Sequence, residues 1–127
     1  MRRMLLTLLT ASLLFSSISA LASLEEDMDI LKGGLRTVTK TDDISEFKKA
    51  LADMRGAAED AKTQTPDKLK GEPADSTQLK DFRAGLDKLT GQIEASMKLA
   101  EAGDLAGAKK EAEKFADTRN ENHKKFR

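Results

Sequence analysis

The sequence predicts an all-α fold, an antiparallel up-down-up-down four-helix bundle, on three observations. Apolar residues recur in alternating steps of three and four along four separate segments. No segment alternates apolar and polar residues with the period of two that a half-buried strand requires. Charged residues make up 35% of the chain and are dispersed over the outward positions of those segments, as a small bundle in water requires.

Ahead of the helices lies a targeting segment. Arg2 and Arg3 precede Met4 to Phe15, an uncharged run rich in Leu, Ala and Thr, and a small-residue stretch then ends in Ala20-Leu21-Ala22. A basic start, a short apolar core and an A-x-A site are the three parts of a secretory signal peptide. The apolar core is shorter than the ~20 residues of a membrane-spanning helix. We expect cleavage after Ala22, export to a bacterial periplasm, and a single domain over residues 23–127 with no membrane attachment. The alternative is an uncleaved membrane anchor.

The first helical stripe is Leu24, Met28, Leu31, Leu35 and Val38. Gly33-Gly34 within it costs ~1 kcal/mol each relative to Ala, so tertiary packing must hold this helix. Thr39 to Asp43 breaks it, and Asp42 or Asp43 can cap a second stripe of Ile44, Phe47, Leu51, Met54, Ala58 and Ala61. Lys62 to Ser76 contains both prolines, Gly71 and few apolar residues, which reads as an unusually long loop. The third stripe is Leu79, Phe82, Leu86, Leu89, Ile93, Met97 and Ala100, with Asp75, Ser76 and Thr77 as candidate N-caps and Gly103 as its stop. Asp104 caps the fourth, whose inward residues are Leu105, Ala108, Ala112, Phe115, Ala116 and Phe126. Short connections make helices one and two, and helices three and four, antiparallel hairpins. The core is thin: the domain's aromatics are Phe47, Phe82, Phe115 and Phe126, and the fourth helix carries Ala where Leu would fill space. A gap filled by a ligand explains this, and so does marginal stability.

Composition removes several classes of function. The absence of cysteine excludes thiol catalysis, disulfides, iron–sulfur clusters and covalent C-x-x-C-H haem attachment. One histidine excludes any zinc or iron site that takes two imidazoles from the same chain. Arg2 and Arg3 are the only charges before Ser23, so the exported domain has 20 basic against 22 acidic side chains, a net charge of −2. That argues against nucleic acid as a partner. No nucleophile–base pair stands out from the scattered carboxylates, so we do not expect an enzyme.

The rare residues gain meaning from topology. Met28 lies in the first turns of helix one and His123 in the last turns of helix four, 95 residues later. An up-down-up-down bundle brings both to the same end, together with Met54, Phe82 and the proline loop. A thioether and an imidazole on neighbouring helices among apolar side chains suit the two axial positions of haem iron. Steps of three and four from Phe115 and Ala116 extend the inward face of helix four through Arg119, His123 and Phe126. The ordinary alternatives are a basic cap on a solvated helix end for Arg119 and His123, and core filling for Met28.

At these positions the chain resembles the soluble cytochrome b562 proteins of the bacterial periplasm. The resemblance is carried by Leu24-Glu25-Glu26-Asp27-Met28 at the start and Thr118-Arg119-Asn120-Glu121-Asn122-His123-Lys124-Lys125-Phe126-Arg127 at the end. Between them, Ala50-Leu51-Ala52-Asp53-Met54-Arg55-Gly56-Ala57-Ala58, Lys80-Asp81-Phe82-Arg83 and Gly91-Gln92-Ile93 are also similar. No one motif is specific; the ordered set is. Cytochrome b562 is itself a standard example of the up-down-up-down bundle, so agreement on the fold is one argument and not two. The resemblance implies one non-covalent haem b per chain, with Met28 and His123 as axial ligands. It further implies that Leu31, Leu35, Met54, Phe82 and Leu86 line the haem and that Arg119 lies near a propionate. Leu86 and Asn122 stand where a member of that family has aromatics, a departure that bears on packing at one haem face and not on the ligation.

With both axial positions taken by protein atoms, the implied function is one-electron transfer by a monomer that meets redox proteins transiently. The competing expectation is a haem-free periplasmic helical protein, a binding or stress-adaptor module that uses the loop and an apolar groove.

Overall fold

The structure is a computed structural model that describes residues 23–126; the expected signal peptide lies outside the described residues. Each helix begins where a short polar side chain can satisfy orphan backbone N–H groups. Ser23 opens α1 (Leu24–Lys40) with a reciprocal box: its hydroxyl accepts from the Glu26 N–H, and the Glu26 carboxylate accepts from the Ser23 N–H, both at 3.1 Å. Asp43 starts α2 (Ile44–Ala61) by accepting from the N–H groups of Ser45 and Glu46. The Ser76 hydroxyl accepts the Leu79 N–H at the head of α3 (Thr77–Glu101). Asp104 accepts the Gly107 N–H at the head of α4 (Leu105–Phe126). Between α3 and α4 Gly103 has φ +85°, and that left-handed turn lets the Asp104 N–H reach the Leu99 carbonyl at 2.9 Å.

Residues 41–43 and 102–104 are the whole of the two short connections, so α1/α2 and α3/α4 are antiparallel hairpins, as expected. These hairpins and the α2–α3 pair pack extensively, whereas α1 and α4 meet sparsely. Among the described residues there are four α-helices and no strand. None of these helices is long and apolar enough to cross a membrane.

Buried side chains form two clusters. The larger holds Phe47, Leu51, Met54, Ile93 and Phe115, with Leu31 and Leu35 packed at its margin. Ala108, one of the alanines that make α4 look thin as sequence, lets that helix approach α3 closely. The buried Ser96 hydroxyl donates to the Ala108 carbonyl at 2.8 Å. The smaller cluster, where the start of α1 and the end of α4 meet the α2–α3 loop, holds Ala61, Leu69, Leu79, Phe82 and Leu86, with Leu24, Met28 and Phe126 against it.

The segment from Lys62 to Ser76 is more ordered than its composition suggests. Asp67–Leu69 forms one 3₁₀ turn, and Leu69 is buried beneath it in the smaller cluster. Turn hydrogen bonds from Leu69 to the Pro66 carbonyl and from Glu72 to the Leu69 carbonyl hold the backbone. Arg83 ties the loop down from α3, donating to the Ala74 carbonyl at 3.1 Å.

Candidate functional site

The site is set by how α1 and α4 are rotated. On α1 the buried residues are Asp27 and Val38, and Gly34 is pressed against the Met54 side chain of α2. At about 100° per residue these three share one side of the helix, the side toward α2. Leu24, Met28 and Leu35 lie some 60–100° further round and are only half-buried. The rotation follows from the packing: α1 has an extensive partner in α2 and little in α4.

On α4 the buried residues are Ala108, Ala112, Phe115 and Thr118. Thr118 donates to Gln92 of α3 at 2.9 Å, and Glu121 pairs with Lys88 of α3 at 3.3 Å. The stripe Ala112, Ala116, Arg119, His123 lies on the opposite flank, toward α1. Its exposure grows along the helix: Ala112 is buried, Ala116 half-buried, and Arg119 and His123 exposed. The expectation that Arg119 and His123 continue the buried inward face is thus corrected. The buried line ends at Thr118 and passes to half-buried Asn122 and Phe126, because α4 turns toward α3, its extensive partner. Met28 near the start of α1 and His123 near the end of α4 thus lie at the same end of the bundle, beside the smaller cluster.

Of the other expected haem-lining residues, Phe82 and Leu86 belong to the smaller cluster with Met28. Met54 is buried in the larger cluster, with half-buried Leu31 and Leu35 beside it. The seam between α1 and α4 thus exposes parts of both clusters on its α1 side and basic or imidazole groups on its α4 side.

A haem fits this chemistry. Leu24, Met28, Leu31 and Leu35 present apolar surface that the protein covers only in part, and burial of such surface stabilises by roughly 25 cal/mol per Å². Among the described residues no group of three or more His, Cys, Asp or Glu side chains gathers to hold a metal ion. A metal here would need most of its ligands from a cofactor, and a porphyrin leaves two axial positions for a thioether and an imidazole.

The polar pair formed by Asp27 and Asp60 escaped the sequence reading. Asp27 is 1% exposed, and each of the two carboxyls has an oxygen sealed from solvent without an ordinary donor. A proton shared between them satisfies both. Burial, first, and then the hydrogen bond and charge of Asp60, with the charge of Glu26, push Asp27 up to about 7. Together with Ile30, Asp53 and Gly56 they line a groove of about 430 Å³ on the outer side of α1 and α2.

Comparison with known proteins places this arrangement. The family model for cytochrome b562 matches residues 23–127. The chain is 43% identical over 128 residues, the full length of both, to a Yersinia pestis protein named probable soluble cytochrome b562 2. It is 38% identical over 116 residues, 91% of each chain, to the probable soluble cytochrome b562 1 of the same organism. An uncharacterized protein of Pasteurella multocida is 27% identical over 125 residues, 97% of this chain and 98% of the other. A four-helix bundle whose whole domain, residues 23–127, matches that family model belongs to the cytochrome b562 family.

Proposed function

We propose that the chain is a periplasmic electron carrier holding one non-covalent haem b between Met28 and His123. The observation that carries this reading is the seam itself. The domain's single histidine and the thioether of Met28 lie at the same end of α1 and α4, the most sparsely packed pair of neighbouring helices. When bound, haem supplies a one-electron ferric/ferrous couple, and a thioether ligand favours the ferrous state and raises the potential.

The chain's own residues do the rest. Met28 is half-buried against the smaller cluster, which includes Phe82 and Leu86. His123 stands exposed in the last turns of α4 and would hold the iron through a ring nitrogen. Arg119, one turn earlier on the same stripe, offsets propionate charge. Leu31, Leu35 and Met54 give an apolar face that excludes water. If Met28 and His123 both held the iron, no ligand position would remain for a substrate, so we assign no enzymatic role. Export, signal cleavage after Ala22, a monomeric state and transient contact with redox proteins complete the proposal.

Haem titration of the purified domain, with oxidised and reduced spectra, tests it. The wild-type chain gives a low-spin spectrum with a sharp reduced α-band. Met28→Ala retains haem with weaker binding and a lower potential, and His123→Ala loses more haem. Unchanged reduced-state bands in both variants refute the ligand assignment. A colourless protein indifferent to haem supports the alternative of a haem-free helical binding module.

A further inference from the structure

The tail of α4 is fastened to α3 along one line. Thr118 Oγ1 donates to Gln92 Oε1 at 2.9 Å. Lys88 Nζ stands 3.3 Å from Glu121 Oε1. Phe126 meets Phe82 edge to face, with ring centroids 5.6 Å apart. Between these contacts lies half-buried Asn122, whose amide rests directly over Gly85 of α3. A Cβ on Gly85 would overlap Asn122 Oδ1 and stand 2.7 Å from its Cγ and its Nδ2. The contacts ascend α4 as 118, 121–122 and 126 and descend α3 as 92, 88, 85 and 82. Steps of three and four on both helices hold an antiparallel pair in one rotation.

A residue one position further along a helix is turned by about 100°. Arg119 follows Thr118, and His123 follows Asn122. The line that fixes α4 against α3 therefore also fixes the flank that presents His123 toward α1. We infer that Gly85 and Asn122 are positioning residues for His123: the amide seated over Gly85 sets the rotation of the turn that carries the imidazole. The inference rests on the ligand role proposed above for His123. Asn has only two side-chain torsions, and its Cγ as well as its amide oxygen occupies the seat. A side chain at position 85 thus displaces more than a flexible tip. Relief comes from rotating or lifting the last two turns of α4, and His123 moves with them.

The test compares haem affinity and spectra of the wild-type domain with Gly85→Ala, Gly91→Ala, Asn122→Ala and the double variant Gly85→Ala/Asn122→Ala, with far-UV circular dichroism as a check on folding. Gly91 lies on the same helix with nothing within 4 Å of an added Cβ, so Gly91→Ala reports the helix-propensity gain alone. Gly85→Ala is expected to weaken haem binding about tenfold or more, the range seen when the support of a metal ligand is removed. It also converts part of the low-spin spectrum to high-spin. Gly91→Ala stays within about twofold of wild type, and the double variant recovers to within about threefold, because removing the amide restores room. Asn122→Ala, which adds no atoms, decides the matter if Gly85→Ala fails to fold; a fall of about threefold with partial high-spin character is expected. Wild-type affinity and spectrum in Gly85→Ala overturn the inference, as does a double variant as impaired as Gly85→Ala. A wild-type chain that binds no low-spin haem is a separate result, which removes the ligand reading and this inference with it.

Discussion

Replacing Asp27 by Asn isolates the buried carboxyl pair between α1 and α2. In the folded chain Asp27 titrates near 7, against 3.8 for the ordinary group. Below pH 3.8 both the folded and the unfolded chain hold the proton, and its stabilising effect is fully present. As the pH rises toward 7 the unfolded chain gives the proton up first, and the stabilisation is progressively lost. The rise from 3.8 to about 7 sets a ceiling of about 4 kcal/mol. Relaxation around the buried carboxyl lowers it, so roughly half, about 2 kcal/mol, is the expected penalty above pH 7. The amide that Asp27→Asn introduces cannot ionise and keeps an N–H to donate to Asp60. Urea unfolding followed by helical circular dichroism at pH 5, 6, 7 and 8 reads the difference. Asp27→Asn should be the more stable protein, with a gap that opens with pH to about 2 kcal/mol at pH 8, or about 1–2 M in the urea midpoint. The other carboxylates act in both proteins and cancel. A gap that stays constant with pH, or a variant less stable than wild type at pH 8, refutes the reasoning.

Three further substitutions test the packing. Gly34→Ala places a methyl onto Met54, overlapping its Cγ and 2.7 Å from its Sδ, and should destabilise by about 1–3 kcal/mol in urea unfolding. Gly33→Ala, one position earlier with nothing within 4 Å, should stabilise by up to ~1 kcal/mol through helix propensity alone; equal effects from the two glycines contradict the stated rotation of α1. Leu69→Ala removes the buried anchor of the α2–α3 loop, costing about 2–4 kcal/mol and raising the rate of limited proteolysis between residues 62 and 76. Proteolysis at the wild-type rate would mean that the 3₁₀ turn is held by its backbone bonds without Leu69.

The helices were legible because each apolar stripe coincides with a capping residue: Asp43, Ser76 and Asp104 all cap as expected. The Ser23–Glu26 box escaped the reading, although its Ser-x-x-Glu spacing stands just before the first stripe. Asp27 escaped it too, because a charged residue beside a stripe ordinarily faces water. Here α1 rolls toward its extensive partner α2, which carries Asp27 inward and leaves Met28 half-covered. The same asymmetry explains α4. Periodicity alone puts Arg119 and His123 in line with Ala112 and Ala116, but it does not say that the neighbour on that side is thinly packed. Leu69 was hidden for another reason: a single apolar residue has no period, and only the fold back over Phe82 and Leu79 gives it a place. The placement of Met28 and His123 at the same end of the bundle followed from topology, which depends on helix count and short connections and not on packing detail.

The sparse α1–α4 contact also bears on the order of folding. Each hairpin closes through a connection of three residues, 41–43 or 102–104, so both form from neighbours along the chain and are kinetically cheap. The seam joins positions 28 and 123, nearly the greatest separation the domain offers, and it brings few protein contacts to offset that loop closure. It is therefore the last part to form and the first to fray. A ligand that bridges it works as a clasp on the chain's two ends, and amide hydrogen exchange in the first turns of α1 and the last turns of α4 is where that clasp would be felt most.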